Sequence, residues 1–248
     1  MSGGRILLLI FGILFMLGSV PLLLGGGALL WVDIALKDDD GFFTTESYQL
    51  ERNSYAIVTE SAHIDIDEEW NWGWGWFGNW DLGDLVTFKV EGSNRDTSKG
   101  ILIGVAEAEE PDWREYINDV EYDETIDFRI HDDKLDVEYK HHYGSLAPAD
   151  PTSQTFWAAS TYGTGIQKLE WKLETGTYSI VLMNQDGSRD VDVDIALGMK
   201  IPLIFGFGVG LLVGWIVALI IGTLVIIFSL RGRKRSRSKK PMHIIKRV

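Results

Sequence analysis

From Ile201 to Leu230 no residue carries a charge, and Lys200 and Arg231 bracket the run. As a helix rising about 1.5 Å per residue it would be roughly 45 Å long, against a hydrocarbon core of about 30 Å. It is therefore long enough to cross a bilayer with tilt to spare. Arg231, Arg233, Lys234, Arg235, Arg237, Lys239 and Lys240 follow directly. Lysine and arginine stay on the cytoplasmic side, so the tail 231–248 is expected inside, resting on anionic membrane lipid.

A second uncharged run, Ile6 to Val32, lies near the N-terminus between Arg5 and Asp33. A signal peptide is the rival reading, but its apolar part spans only about 7–15 residues before a small-x-small cleavage site. Here the run continues through Gly25-Gly26-Gly27 to Trp31, and no convincing cleavage site interrupts it. A retained span is expected, with Pro21 and the triple glycine tolerated if neighbouring helices re-satisfy the backbone. The predicted layout is a cytoplasmic N-terminus 1–5, a first span 6–32, an extracytoplasmic domain 33–200, a second span 201–230 and the tail 231–248. This is a multi-pass cell-membrane protein with both termini in the cytoplasm.

Charge partition argues for the same orientation. All 36 acidic residues fall in 33–200 with 13 of the 23 basic ones, a net of −23 for that segment. Such a surface repels nucleic acid and attracts cations. Solubility in a salty or divalent-rich exterior explains it, with a specific cationic ligand as the other reading. The chain has no cysteine, which removes disulfides, thiol nucleophiles and thiolate metal sites. A segment of this length buries a core without staples. No Asn-x-Ser/Thr acceptor occurs either, and both facts suit a prokaryotic envelope protein.

The segment between the spans reads as strands. Val86, Phe88 and Val90 alternate with Thr87, Lys89 and Glu91, and Leu169, Trp171 and Leu173 with Lys168, Glu170 and Lys172. Apolar residues also recur at every second position in Ile101, Ile103 and Val105, in Leu135, Val137 and Tyr139, in Tyr178, Ile180 and Leu182, and in Val191, Val193, Ile195 and Leu197. Phe128 and Ile130 precede an Asp132-Asp133 turn, and Asn184 to Gly187 makes another. Period-two patterning broken by Gly, Asp and Asn marks antiparallel strands with one wet face. Pro111, Trp113, Tyr116, Ile117 and Val120 have helical spacing instead. The expected fold is mainly β: an antiparallel sandwich of jelly-roll or related type with one short helix, flanked by two transmembrane helices.

The run Gly100-Ile-Leu-Ile-Gly104-Val-Ala106, with Tyr116-Ile117 and Val120, resembles a family of two-span prokaryotic membrane proteins. Gln154-Thr-Phe156-Trp157, Gly163-Thr-Gly165, Leu169-Glu-Trp171 and Gly176-Thr-Tyr178 resemble it too. So does Val181-Leu-Met183-Asn184-Gln-Asp186-Gly187-Ser188, the most specific piece. The resemblance spans nearly the whole domain and the last span. It implies an architecture and an envelope location, with no catalytic residues to carry over. The tryptophan-rich insert and the basic tail depart from that family's pattern. The Gly-Thr-Tyr hairpin is also similar, over a short stretch, to the last strands of carbohydrate-binding and pre-peptidase accessory sandwiches.

Trp70, Trp72, Trp74, Trp76 and Trp80 crowd one stretch. In an extended chain the first four share a face, with Gly73 and Gly75 opposite. The stripe suits stacking on sugar rings, the membrane interface, a protein partner, or simply a buried strand. His63, Asp65 and Asp67 alternate on one strand, as do Asp190, Asp192 and Asp194. A solvated face is the commoner reason, and a calcium site would need oxygens from a neighbouring loop. His141 and His142 are adjacent, so on a strand they point opposite ways. No nucleophile elbow, His-Glu-x-x-His helix or phosphate loop occurs. No enzyme activity, catalytic residue, metal or cofactor is expected, with a surface hydrolase as the outside alternative.

Gly206, Gly210, Gly214, Ala218 and Gly222 recur every four residues in the second span. Such a small-residue ridge lets another helix approach closely where hydrophobic burial cannot drive association. The first span is the nearest partner, with a homo-oligomer next. The expected role is binding or assembly at the cell envelope, toward a protein partner or a glycan, or else a structural subunit of an envelope complex.

Overall fold

The computed structural model describes residues 3–65, 86–131 and 134–231. The chain divides into two compact units, 37–202 and a second formed by 1–36 with 203–248.

The second unit contains two helices long and apolar enough to cross a membrane, α1 (Gly3–Ala35) and a C-terminal helix (Leu203–Arg231). Pro21 lies inside α1. Buried positions are few and small: Gly12, Ser19 and Gly26 on α1, and Gly208, Gly222 and Ser229 on the other helix. The α1 trio is spaced by seven residues, and so are Gly222 and Ser229, with Gly208 two such steps before Gly222. Seven residues make nearly two helical turns, so these positions form one seam. Its helices run antiparallel. A Cβ on Gly26 would stand 2.8 Å from the Gly208 carbonyl oxygen, and one on Gly222 would stand 3.2 Å from that of Gly12. Ser229 closes the seam by donating from Oγ to the Arg5 carbonyl at 2.8 Å.

The four-residue ridge follows a different line. Each four-residue step advances about 40° around a helix, so a long ridge leaves any straight seam. Gly222 lies in the seam and Gly214 at its edge, where a Cβ would be 3.9 Å from Leu22. Ala218 lines an apolar groove with Phe11, Leu14, Phe15, Gly18, Ser19 and Leu22. A Cβ on Gly206 or Gly210 would meet nothing within 4 Å.

The first unit is mainly β, as its patterning predicts. Its strands are β1 (Phe43–Thr44), β2 (Tyr48–Arg52), β3 (Ala56–Thr59), β4 (Ala62–Ile64), β5 (Thr87–Asn94), β6 (Ile101–Glu107), β7 (Tyr122–His131), β8 (Lys134–His142), β9 (Trp157–Gly163), β10 (Gln167–Lys172), β11 (Gly176–Asn184) and β12 (Val191–Lys200). A five-stranded sheet has the order β1-β12-β5-β10, with β2 beside β1 on the same flank of β12. A seven-stranded sheet has the order β8-β7-β3-β11-β6-β9, with β4 also on β11. Among the described strands every pairing is antiparallel except β3 with β7.

Both sheets contribute to one core. Leu50, Val90, Leu169, Val191, Val193 and Ile195 come from the smaller sheet, and Ile57, Ile101, Ile103, Val105, Tyr178 and Leu182 from the larger. The larger sheet also buries its other face. There Ala56, Val58, Leu102, Ala106, Val181 and Met183 meet Trp113 of the short helix α2 (Pro111–Asn118), with Phe156 and Trp157 packed alongside. β6 is consequently buried on both faces rather than wet on one.

The residues that follow α1 are tied into the smaller sheet by a charged knot. Lys89 on β5 is 1% exposed, and its Nζ donates to Asp38 Oδ2 at 2.5 Å. Asp38 also accepts from the Phe42 N–H at 2.8 Å and from Thr44 Oγ1 at 2.7 Å. Burial pushes this carboxyl up. The hydrogen bonds from Lys89, Thr44 and Phe42, with the ammonium charge, outweigh it and hold the group well below the usual carboxylate range. The Phe42 ring lies between Lys89 and Lys200, 4.9 and 5.2 Å from their Nζ atoms.

Candidate functional site

On the outer face of the larger sheet, α2 and the β7–β8 hairpin bound a cleft of about 370 Å³. Arg114, Ile117 and Asn118 line it from the helix, and Tyr122, His142 and Tyr143 from the hairpin. Pro111 starts α2 at a position where its missing N–H costs nothing. Trp113 then anchors the helix to the sheet, which turns Arg114 and Asn118, one helical turn apart, toward the cleft.

The walls are held firmly. Tyr122 and His142 stack with ring centroids 4.3 Å apart and planes within 4°. His142 Nε2 is 2.8 Å from Glu124 Oε2. Burial, with Glu124 adding to it, raises the Tyr122 phenol above its ordinary value. Arg114 Nε donates to the Ala108 carbonyl at 2.8 Å, fixing the guanidinium plane. Behind α2, the Tyr116 hydroxyl donates to the Ala149 carbonyl at 2.9 Å, and Trp157 Nε1 donates to that of Pro151 at 3.0 Å.

The alternation of β8 sends His141 to the opposite face from His142. There its Nδ1 lies 2.9 Å from Asp123 Oδ1, and its Nε2 lies 3.7 Å from Glu121. Glu121 accepts from Arg189 at 2.6 Å, and Arg189 lies over the Tyr55 ring. Arg52, from the other sheet, lays its guanidinium 3.4 Å from the centroid of Tyr139. Two buried polar atoms in this region, Arg52 Nε and Thr125 Oγ1, have no hydrogen-bond partner among the described residues. Tyr139 is the shared neighbour, since it pairs with Thr125 across the β7–β8 ladder.

Other candidates fall elsewhere. Trp70, Trp72, Trp74, Trp76 and Trp80 lie outside the described residues, as do Asp67, the Asp132-Asp133 turn and the tail beyond Arg231. His63 Nδ1 lies 3.1 Å from Thr177 Oγ1. Asp192 accepts from Gln49 at 2.9 Å, and Asp194 is 3.8 Å from Arg95, so both sit on a solvated, paired face. Among the described residues no group of three or more acidic or histidine side chains is placed to hold a metal. The sequence motif at Asn184 is a turn device: its Nδ2 reaches the carbonyls of Ser188 at 3.0 Å and Arg189 at 2.9 Å, and its Oδ1 accepts from Asn94.

Sequence reading passed over Arg114, Asn118 and Tyr143. The four-residue pairing of Arg114 with Asn118 on the polar side of a helix with an anchored apolar side was the available signal. Tyr143 carried none, because only the fold brings it beside α2. No family model, no curated protein and no solved structure matches this chain.

Proposed function

We propose that the chain is a two-span envelope protein that displays the acidic β domain outside the cell membrane and serves there as a binding or assembly module. The observation that carries this reading is the charge partition around two apolar helices. Residues 33–200 hold every acidic residue, and nine of the ten basic residues outside that segment lie in 231–248. In this reading Arg5 and the 231–248 tail lie on the cytoplasmic side, the tail against anionic lipid. The resemblance to two-span prokaryotic membrane proteins points the same way.

We further read the domain as a jelly-roll sandwich. In that fold eight strands pair as a long hairpin wrapped on itself, first with eighth, second with seventh, third with sixth and fourth with fifth. Taking β2, β3, β5, β6, β9, β10, β11 and β12 in turn, the pairs β2–β12, β3–β11, β5–β10 and β6–β9 all follow that rule. The β7–β8 hairpin is then an insertion between the fourth and fifth strands, added to the edge at β3. The partners this fits are an envelope protein or a glycan on the outside, and a second copy through the apolar helices. Nucleic acid is disfavoured by the −23 charge of the displayed segment.

Topology is the decisive test. A cytoplasmic reporter fused after Val248 should be active, and protease added to whole cells should reach only 33–200. Protection of that segment with external cleavage of the tail would overturn the orientation. Crosslinking capture from native membranes then tests the binding role, which falls if the intact chain is recovered alone.

A further inference from the structure

Resting on the binding reading above, we propose that the cleft between α2 and the β7–β8 hairpin is a saccharide site that takes a neutral sugar ring. Its volume of about 370 Å³ lies within the range of small-molecule sites, about 300–1,000 Å³. A sugar ring presents apolar C–H faces and a rim of hydroxyls, each both donor and acceptor. A site for it needs an aromatic face and a few planar polar groups fixed in orientation. Tyr143 offers the first, and Arg114, Asn118 and His142 the second, with Ile117 as an apolar wall.

Tyr143 is the observation that presses hardest. It is 88% exposed, yet its backbone is not free. The next residue, Gly144, lies so close to the chain leaving α2 that a Cβ there would stand 2.2 Å from the Val120 carbonyl carbon. The N–H groups of Ser145 and Leu146 both donate to the Asp119 carbonyl, at 2.9 and 3.0 Å. The tyrosine ring meets His141 edge-on at 4.6 Å. A large aromatic carried on an anchored backbone and left in water is a stacking platform part of whose ordering cost is met in advance. In the same lining, Arg114 uses Nε on Ala108, and a guanidinium carries five donors in a fixed fork.

Charge selects a neutral ligand. Arg114 is the one arginine in the lining, there is no lysine, and Glu124 stands 2.8 Å from His142. A phosphate or carboxylate is better served by clustered or bidentate cations, and the segment's −23 charge repels anions.

The test uses the full chain in nanodiscs of zwitterionic lipid, with saturation-transfer difference NMR on maltotriose, cellotriose and chitotriose, and trigalacturonic acid as an anionic arm. At least one neutral trisaccharide should receive saturation on its ring protons. Tyr143→Ala should abolish the transfer without lowering the melting temperature, Tyr143→Phe should retain it, and Arg114→Ala should weaken affinity at least tenfold. Absence of transfer to every neutral trisaccharide overturns the proposal. So does transfer that survives Tyr143→Ala, or transfer to the anionic arm alone. If these fail while crosslinking still captures an envelope partner, the cleft assignment falls and the binding role stands. If capture fails as well, both fall.

Discussion

The Lys89 knot and the β7–β8 region both put charged groups into the body of the domain, and they treat them in opposite ways. At Lys89 the ammonium, the Asp38 carboxylate, the Thr44 hydroxyl and the Phe42 N–H close on one another. Around β8 the arrangement is more open: on the face away from the cleft Arg52 Nε and Thr125 Oγ1 are unpartnered among the described residues, and at the cleft Tyr143 stands in solvent. A satisfied network specifies structure, whereas polar groups lining a cleft beside an exposed aromatic are what a ligand uses.

Substitutions sharpen this contrast, and the largest effect is expected at the support of the cleft. Trp113→Ala removes the anchor between α2 and the sheet and should cost about 3–5 kcal/mol in thermal or denaturant unfolding. Loss below about 1 kcal/mol would mean that α2 is not held by that contact. Next comes the knot. Asp38→Asn strands a buried ammonium whose remaining carboxylate, Glu91, is 3.6 Å away, and should cost about 2–3 kcal/mol.

The same knot predicts a pH dependence. Because the folded carboxyl of Asp38 is held below its ordinary value of 3.8, its stabilisation is present above about pH 4. It is lost progressively as pH falls toward the lowered folded value. The wild-type melting temperature should therefore fall more steeply than that of Asp38→Asn below pH 4, and parallel curves would show that Asp38 contributes nothing special. The smallest effect is expected at Tyr143→Ala, within about 0.5 kcal/mol of wild type, since the ring is almost wholly in water. A loss of 2 kcal/mol would move Tyr143 from the open region to the closed one and break the comparison.

Patterning exposed much of the β domain. β5, β8, β10 and β12 carry alternating apolar residues and were legible, as was α2 from Pro111 and its apolar spacing. The strands that escaped have identifiable reasons. β1 has two residues and β4 three, too few for a period to show. In β9 the apolar residues are interrupted by Ser160 and Thr161, and small alanines carry part of the packing. β6 was legible as a strand from Ile101, Ile103 and Val105; what its pattern did not show is that α2 covers its second face. In the helical unit the four-residue glycine ridge drew attention because it is unbroken. The helices instead meet along a seven-residue seam that includes two serines and needs both chain segments to be recognised.

By itself the sequence determined two helices apolar enough to span a membrane, a mainly β segment between them, and one charge partition. These depend on local periodicity and composition, which read out from neighbours along the chain. Tertiary structure alone decided which strands pair, that Lys89 is buried against Asp38, and that Arg114 and Tyr143 line one cleft. Those contacts join residues far apart in sequence, and no local pattern encodes the partner. Whether a charge is closed upon itself or left open for a ligand is a property of that pairing.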